Sequence, residues 1–105
     1  MITLCIRYVI DARKHRDFEQ YARHWPAPIR LCGGELIGYF LPTKSGGPTN
    51  IALALIEFPS VAAHEAYREA LKNNPEAQEN LSRAEQSGCI VSEERSFLQR
   101  ISSEK

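Results

Sequence analysis

The chain has 105 residues, of which 13 are basic and 13 acidic, so its formal net charge is zero, and 43% of its residues are hydrophobic. A neutral balance provides no positive field to hold nucleic-acid phosphates or an anionic membrane surface. No apolar run approaches the ~20 residues that span a bilayer. We therefore expect one domain over residues 1–105, in a cytoplasmic protein with neither nucleic acid nor membrane as a partner.

Three cysteines lie far apart and form no C-x-x-C pair; they are Cys5, Cys32 and Cys89. An odd, scattered set predicts neither a disulfide framework nor a zinc site, so each is interpreted as a small buried apolar side chain. The three histidines of the chain share no metal-ligand spacing either. No metal, haem or other cofactor is therefore predicted.

The first part of the chain predicts a strand, a broken helix and a second strand. Residues 2–10 alternate and are rich in β-branched and aromatic side chains, which predicts the first strand. Apolar side chains recur at three- and four-residue spacing over residues 14–25, which predicts an amphipathic helix that Pro26 breaks. A second helical piece is expected to end at the glycine pair 33–34, and residues 35–42 predict the second strand.

The second part of the chain predicts a long loop, a third strand, two capped helices and a last strand. Ser60 and Asn74 carry side-chain oxygens suited to accept the first backbone N–H groups of a helix. Gly88 tolerates the left-handed conformation that ends one. The predicted ranges are 43–49 for the loop, 50–58 for the third strand, 61–71 and 75–87 for the helices, and 89–101 for the last strand.

The third strand is apolar on both sides. Its two rows are Ile51, Leu53 and Leu55 on one side, and Ala52, Ala54 and Ile56 on the other. This pattern predicts a central strand that is covered on both faces. The helices of so short a chain cover one face, and an identical subunit is the simplest cover for the second. The sequence thus predicts a homodimer formed by sheet packing, and leaves open which row faces the partner.

The order of elements, β-α-β-β-α-(α)-β, predicts an α+β fold of the ferredoxin-like βαββαβ type. In this arrangement an antiparallel sheet carries its helices on one face, and a dimeric α/β barrel forms when two such sheets meet. The first and third strands lie in the middle of the sheet. The double apolar character of the third strand agrees with that position.

Several stretches resemble the NIPSNAP family of the dimeric α/β-barrel superfamily. They are the strand Ile2 to Ile10, the run Gly38-Tyr-Phe-Leu-Pro42 after the glycine pair, Asn50-Ile-Ala-Leu with Phe58-Pro-Ser60, Glu65-Ala-Tyr-Arg68, and Glu94-Arg-Ser-Phe97. The resemblance spans nearly the whole chain and implies a homodimer. The family mostly lacks an assigned activity, and its superfamily relatives include cofactor-independent monooxygenases, isomerases and haem-dependent enzymes.

Arg7 is the most unusual residue in the predicted strands, because a fixed charge among apolar neighbours needs a partner or a polar cavity. One interpretation is an ion pair with a strand glutamate, such as Glu57, Glu93 or Glu94. The other is an anion-binding role or a place in a pocket at the dimer interface. Its row of the first strand is only half polar, which suits an interface with a small wet cavity.

Three further residues are candidate pocket residues. Tyr39 lies in mid-strand, where its hydroxyl either orients a ligand or ties down the sheet. His24 and Trp25 precede the proline break, where an interrupted helix can open a pocket and a histidine can shuttle a proton. The alternative is a surface histidine beside a tryptophan that only packs in the core. His15 is expected in a charged first turn, and His64 in the exposed start of the later helix.

These residues lead to two hypotheses about function. The first is a small-ligand-binding barrel, with an apolar pocket between sheet and helices lined by Arg7, His24, Trp25 and Tyr39. If such a barrel is an enzyme, it resembles the cofactor-independent monooxygenases and acts on apolar aromatic substrates. The second is a non-enzymatic dimeric module that uses its surface for protein partners. The fold alone does not choose between them.

Overall fold

A computed structural model describes residues 1–101 as one sheet with helices on one of its faces. Residues 102–105, which the sequence assigns to the same domain, lie outside the described residues. The strands are β1 (Ile2–Ile10), β2 (Glu35–Phe40), β3 (Ile51–Phe58) and β4 (Ile90–Leu98), and the helices are α1 (His15–Arg23), α2 (Pro26–Leu31), α3 (Val61–Lys72) and α4 (Pro75–Ser87), with a short 3-10 helix at Ala12–Lys14.

The strands follow the order β2-β3-β1-β4, and every adjacent pair is antiparallel. β1 and β3 therefore lie in the middle, so the prediction of a ferredoxin-like α+β sheet is confirmed. The last strand is shorter than predicted, since β4 ends at Leu98 rather than at residue 101. Within residues 1–101, the structure has no helix long and apolar enough to cross a membrane.

Local chemistry sets the ends of the helices much as the sequence predicts. The Oγ atom of Ser60 accepts the N–H of Ala63 at 3.1 Å, and Oδ1 of Asn74 accepts the N–H of Ala77 at 2.9 Å. These bonds satisfy backbone donors that the first turn of a helix leaves free. Gly88 ends α4 with a φ of 68°, a left-handed conformation that glycine adopts without steric cost.

The two faces of the sheet differ sharply in burial. The helix face is the side that the helices cover, and its buried residues are Leu4, Ile6, Tyr8, Ile10, Ala52, Ala54, Ile56 and Phe58. The open face is the opposite side, and its residues include Cys5, Arg7, Val9, Phe40, Ile51, Leu53, Leu55 and Leu98. The row of β3 that contains the two alanines thus lies under the helices, and the row with the two leucines faces outward.

Candidate functional site

A cavity of about 400 Å³ lies between the helix face and the helices. Seven aromatic side chains contribute to its wall: Tyr8, Tyr21, Trp25, Tyr39, His64, Tyr67 and Phe97. They come from β1, α1, the junction after α1, β2, α3 and β4, so the cavity depends on the whole fold. Ligand sites of small proteins typically have this size and this mostly apolar, aromatic lining.

Two alanines of β3 make room for the tyrosines at the floor of the cavity. Tyr8 on β1 is the register partner of Ala52, and Tyr39 on β2 is the partner of Ala54. Because these alanines are small and fully buried, the two tyrosines reach over β3 from opposite sides. Their hydroxyl oxygens lie 3.2 Å apart, a hydrogen-bond distance.

Burial controls the charge state of this tyrosine pair. Desolvation raises the pKa of Tyr8 well above its ordinary value, and the neighbouring Tyr39 raises it further. Desolvation likewise raises the pKa of Tyr39 well above its ordinary value. Both hydroxyls therefore stay protonated at neutral pH. One of them donates to the other, so the pair keeps one further hydroxyl proton to donate.

Two ring nitrogens at the cavity wall are buried without a hydrogen-bond partner. They are Nε1 of Trp25 and Nε2 of His64, and neither has a partner at hydrogen-bond geometry within residues 1–101. Both side chains line the cavity. Trp25 still acts on the nearby Tyr21 hydroxyl: burial raises the pKa of Tyr21, and the Trp25 side chain partly opposes that rise. An unsatisfied buried polar group costs roughly 1–3 kcal/mol, which a hydrogen bond to a molecule in the cavity would recover.

His64 is held in an aromatic environment. Its ring lies 5.1 Å from that of Phe58 and 4.8 Å from that of Phe97, both edge to face. Burial lowers its pKa, and the positive charges of Arg68 and Arg95 lower it further. The imidazole is therefore neutral at pH 7, and its Nε2 can either accept or donate a hydrogen bond, depending on the tautomer.

The expectation that His64 lies in an exposed turn is wrong, since only 8% of its surface is accessible. The first turn of α3 faces the sheet at this point. Tyr67, three residues later on the same helix, is also buried against Phe58. The spacing of His64 and Tyr67 was the signal in the sequence, because residues three apart share one side of a helix.

The structure brings together only part of the predicted pocket. Trp25 and Tyr39 line the 400 Å³ cavity, as the ligand-binding hypothesis requires. His24 is exposed, with Nδ1 2.7 Å from the carbonyl oxygen of Gln20. It borders a separate cavity of about 280 Å³ between α1 and α4, which also contains Asn80. His24 and Trp25 therefore face different cavities, although they are adjacent in sequence.

Arg7 does not belong to the cavity either, so the prediction that it lines this pocket is wrong. Successive side chains of a strand point to opposite faces, so when Tyr8 faces the helices Arg7 must face away. Arg7 is exposed on the open face, opposite Glu94 in the β1–β4 register. No ion pair of Arg7 is present among the described residues. Of the other predicted partners, Glu57 lies 3.4 Å from Arg100 and Glu93 lies 3.1 Å from Arg95.

The charged residues at the cavity wall are all basic. They are Arg68 and Lys72 on α3 and Arg95 on β4, and no aspartate or glutamate is among the residues within 1–101 that line the cavity. Sequence reasoning missed this group, together with Tyr8, Tyr21 and Tyr67. Arg68 and Lys72 lie four residues apart and so share one side of α3, but the approach of Arg95 depends on the position of β4.

The arrangement suits binding more readily than nucleophilic catalysis. No serine, threonine or cysteine is among the residues of the described chain that line the cavity, whereas aromatic rings and N–H or O–H donors are plentiful. Within residues 1–101, no group of three or more histidine, cysteine, aspartate or glutamate side chains is placed to hold a metal ion. His64 is the lining residue best suited to take up a proton near neutral pH.

The fold and this cavity define a ferredoxin-like α+β protein with an aromatic-lined cavity between sheet and helices. The chain belongs to the NIPSNAP family, whose sequence model matches residues 3–104. The family predicted from sequence resemblance is therefore confirmed. No curated protein gives a significant sequence match.

Solved structures share the fold of this chain. A NIPSNAP-like domain protein from Burkholderia xenovorans is 26% identical, with a TM-score of 0.81 over 99% of this chain and 88% of that one. A NIPSNAP family protein from Agrobacterium tumefaciens is 24% identical, with a TM-score of 0.78 over 95% and 92%. A putative antibiotic biosynthesis monooxygenase from Nitrosomonas europaea is 9% identical, with a TM-score of 0.68 over 97% and 100%, and so shares the fold alone.

Proposed function

We propose that this protein is a homodimer that binds a small, mainly apolar aromatic ligand in the cavity between sheet and helices. The observation that carries the proposal is the pair of unpartnered ring nitrogens, Trp25 Nε1 and His64 Nε2, at the cavity wall. A ligand oxygen that accepts the Trp25 N–H would satisfy the first. The aromatic rings around it supply the apolar contact area.

The open face supports the homodimer. Ile51, Leu53 and Leu55 are only partly buried there, and Phe40 and Leu98 are each 49% exposed. Apolar surface left in water forfeits ~25 cal/mol for each Å² that could be buried. The open face of a second subunit can bury this apolar surface, because a twofold axis places the same residues of both subunits against each other.

Trp25 provides a direct test of ligand binding, because it is the single tryptophan of the chain. We expect 4-phenylbutyramide, which joins a phenyl ring to an uncharged amide, to change tryptophan fluorescence excited at 295 nm and to raise the unfolding temperature. A ligand at a hundred times its Kd adds ~2.7 kcal/mol to stability. His64→Phe should weaken binding by about five- to tenfold through loss of one hydrogen bond.

His24→Phe is the matched control, since it makes the same change at an exposed histidine outside the cavity. It should leave the affinity for 4-phenylbutyramide unchanged. Absence of any change in fluorescence or unfolding temperature with millimolar 4-phenylbutyramide, and equally with its carboxylate and amine analogues, would contradict the binding proposal.

A second candidate is an enzyme that oxidises a bound aromatic substrate with dioxygen. It is favoured by the neutral imidazole of His64 in the cavity and by the fold shared with the putative monooxygenase from Nitrosomonas europaea. His64 would take a proton from an activated aryl methylene, after which dioxygen converts the CH₂ group to a carbonyl and water. The substrate supplies the electrons, so this balance needs no further reductant.

This candidate predicts oxygen uptake with anthrone above the uncatalysed rate, with anthraquinone as product. The rate should fall in His64→Phe and not in His24→Phe. Because burial lowers the pKa of His64, the active neutral form should persist below pH ~6.5, where an ordinary histidine becomes half protonated. Equal rates for wild type and His64→Phe would remove the enzymatic candidate and leave the binding proposal in place.

A further inference from the structure

We infer that the ligand of this cavity is an anion, an apolar aromatic molecule with one carboxylate or similar acidic group, and that Arg68 and Arg95 recognise its charge. This inference rests on the proposed binding function. It starts from the charge distribution of the cavity wall, where three cations meet no carboxylate among the described lining residues. The chain as a whole has equal numbers of acidic and basic residues, so composition alone does not produce this imbalance.

The three cations differ in how far they are already paired. Lys72 Nζ lies 3.1 Å from Glu69, and Arg95 Nη2 lies 3.1 Å from Glu93, both within reach of solvent. Arg68 has neither an ion pair nor a side-chain hydrogen bond to any residue within 1–101. A guanidinium at a cavity wall with open donors is suited to bind a planar carboxylate through two parallel hydrogen bonds.

The buried groups of the cavity complement an anionic ligand. Trp25 Nε1 is a donor only, and it needs an acceptor. The protonated hydroxyls of Tyr8 and Tyr39 lie at the floor, and the one that accepts in their mutual hydrogen bond keeps its own proton to donate. Arg68 and Arg95 line the cavity together with His64, whose pKa is lowered by burial and further by these two positive charges. Donors and positive charge thus converge in an aromatic space.

Three probes of nearly equal size separate charge from shape: 4-phenylbutyrate, 4-phenylbutyramide and 4-phenylbutylamine, which are anionic, neutral and cationic at pH 7.5. Titrations that follow Trp25 fluorescence are expected to show the anion binding about tenfold more tightly than the amide, as charge-assisted hydrogen bonds allow. The amine should bind most weakly. The preference should decrease with added salt, because the cations are partly exposed.

Arg68→Gln tests the assignment of the charge. It should reduce the affinity for 4-phenylbutyrate about fivefold to tenfold while leaving that for the amide within twofold. Arg16→Gln is the matched control, because it removes the same charge from an exposed position of α1 outside the cavity. Arg95→Gln should resemble Arg68→Gln.

The outcomes separate this inference from the proposed function. If the anion and the amide bind equally, or if Arg16→Gln weakens anion binding as much as Arg68→Gln does, recognition of charge by this site is overturned and the ligand-binding proposal stands. If none of the three probes binds, both are overturned. A selective loss of anion binding in Arg68→Gln and Arg95→Gln supports the inference.

Discussion

Leu53→Arg is expected to convert a homodimer into a folded monomer, whereas Ala54→Arg is expected to unfold the chain. The two residues are adjacent on β3, yet they face opposite sides of the sheet. Leu53 is partly exposed on the open face, and Ala54 is 0% exposed beneath the helices. The same new charge therefore enters two very different environments.

On the open face, a twofold axis would place two introduced arginines in one seam. Like charges in a desolvated interface repel, and the guanidinium of each Arg7 already contributes positive charge to that face. The free monomer, however, can keep the introduced guanidinium in water. Association is then lost with little change in the fold of each subunit.

Beneath the helices, a buried guanidinium has no room and no partner. Ala54 is the register partner of Tyr39 and of Ile6 and is 0% exposed, so an arginine there would have to displace packed side chains. Burying an unpaired charge costs at least several kcal/mol, which is comparable with the whole stability of a small domain. We expect the Ala54→Arg chain to be largely unfolded.

Light scattering and circular dichroism at micromolar concentration distinguish these outcomes. Ala66→Arg, at an exposed position of α3, is the matched control and should remain a folded dimer. A wild-type protein that is a compact monomer under the same conditions would refute the homodimer proposal. So would a Leu53→Arg protein that remains as dimeric as wild type.

The sequence predicts most of this fold because its element boundaries depend on local chemistry. Pro26 ends one helix and begins the next, since it lacks the backbone donor that the first turn does not need. Ser60, Asn74 and Gly88 act as caps through their own side chain or backbone conformation. None of these effects requires knowledge of a distant contact, so each can be recognised in a single sequence.

Which row of β3 lies under the helices could not be predicted in the same way. Both rows are apolar, and only the pairing of Ala52 with Tyr8 and of Ala54 with Tyr39 shows which one lies under the helices. The small side chains are required there because large rings from neighbouring strands lie above them. This complementarity between three strands exists only after the sheet has formed.

For the same reason, only part of the candidate site can be predicted from the sequence. Trp25 and Tyr39 were recognisable as aromatic residues at a helix break and in mid-strand. The prediction for Arg7 places its side chain on the wrong face of the sheet, because neighbouring residues of a strand point to opposite faces. The basic residues Arg68 and Arg95 are more than twenty positions apart and meet at the cavity wall only because β4 returns beside β1.

The second large expected effect concerns Phe58, whose ring fixes α3 over the sheet. Phe58 is fully buried at the end of β3, and its ring centroid lies 4.8 Å from that of Tyr67 and 5.1 Å from that of His64. Phe58→Ala should lower the free energy of unfolding by about 3–5 kcal/mol, because it removes apolar contacts and leaves a cavity. Ligand binding should weaken as well, since both neighbours line the site.

Phe97→Ala is the matched variant on the other side of the same imidazole. The ring of Phe97 lies 4.8 Å from that of His64, but Phe97 is 50% exposed at the edge strand β4. Its loss should lower the free energy of unfolding by about 1 kcal/mol, because Phe97 buries less apolar area than Phe58 does. The variant should still bind an aromatic ligand more weakly. Urea unfolding and Trp25 fluorescence titrations measure the two effects separately. Equal stability losses in the two variants would show that Phe58 does not anchor α3, because the contrast depends on its burial between the sheet and that helix.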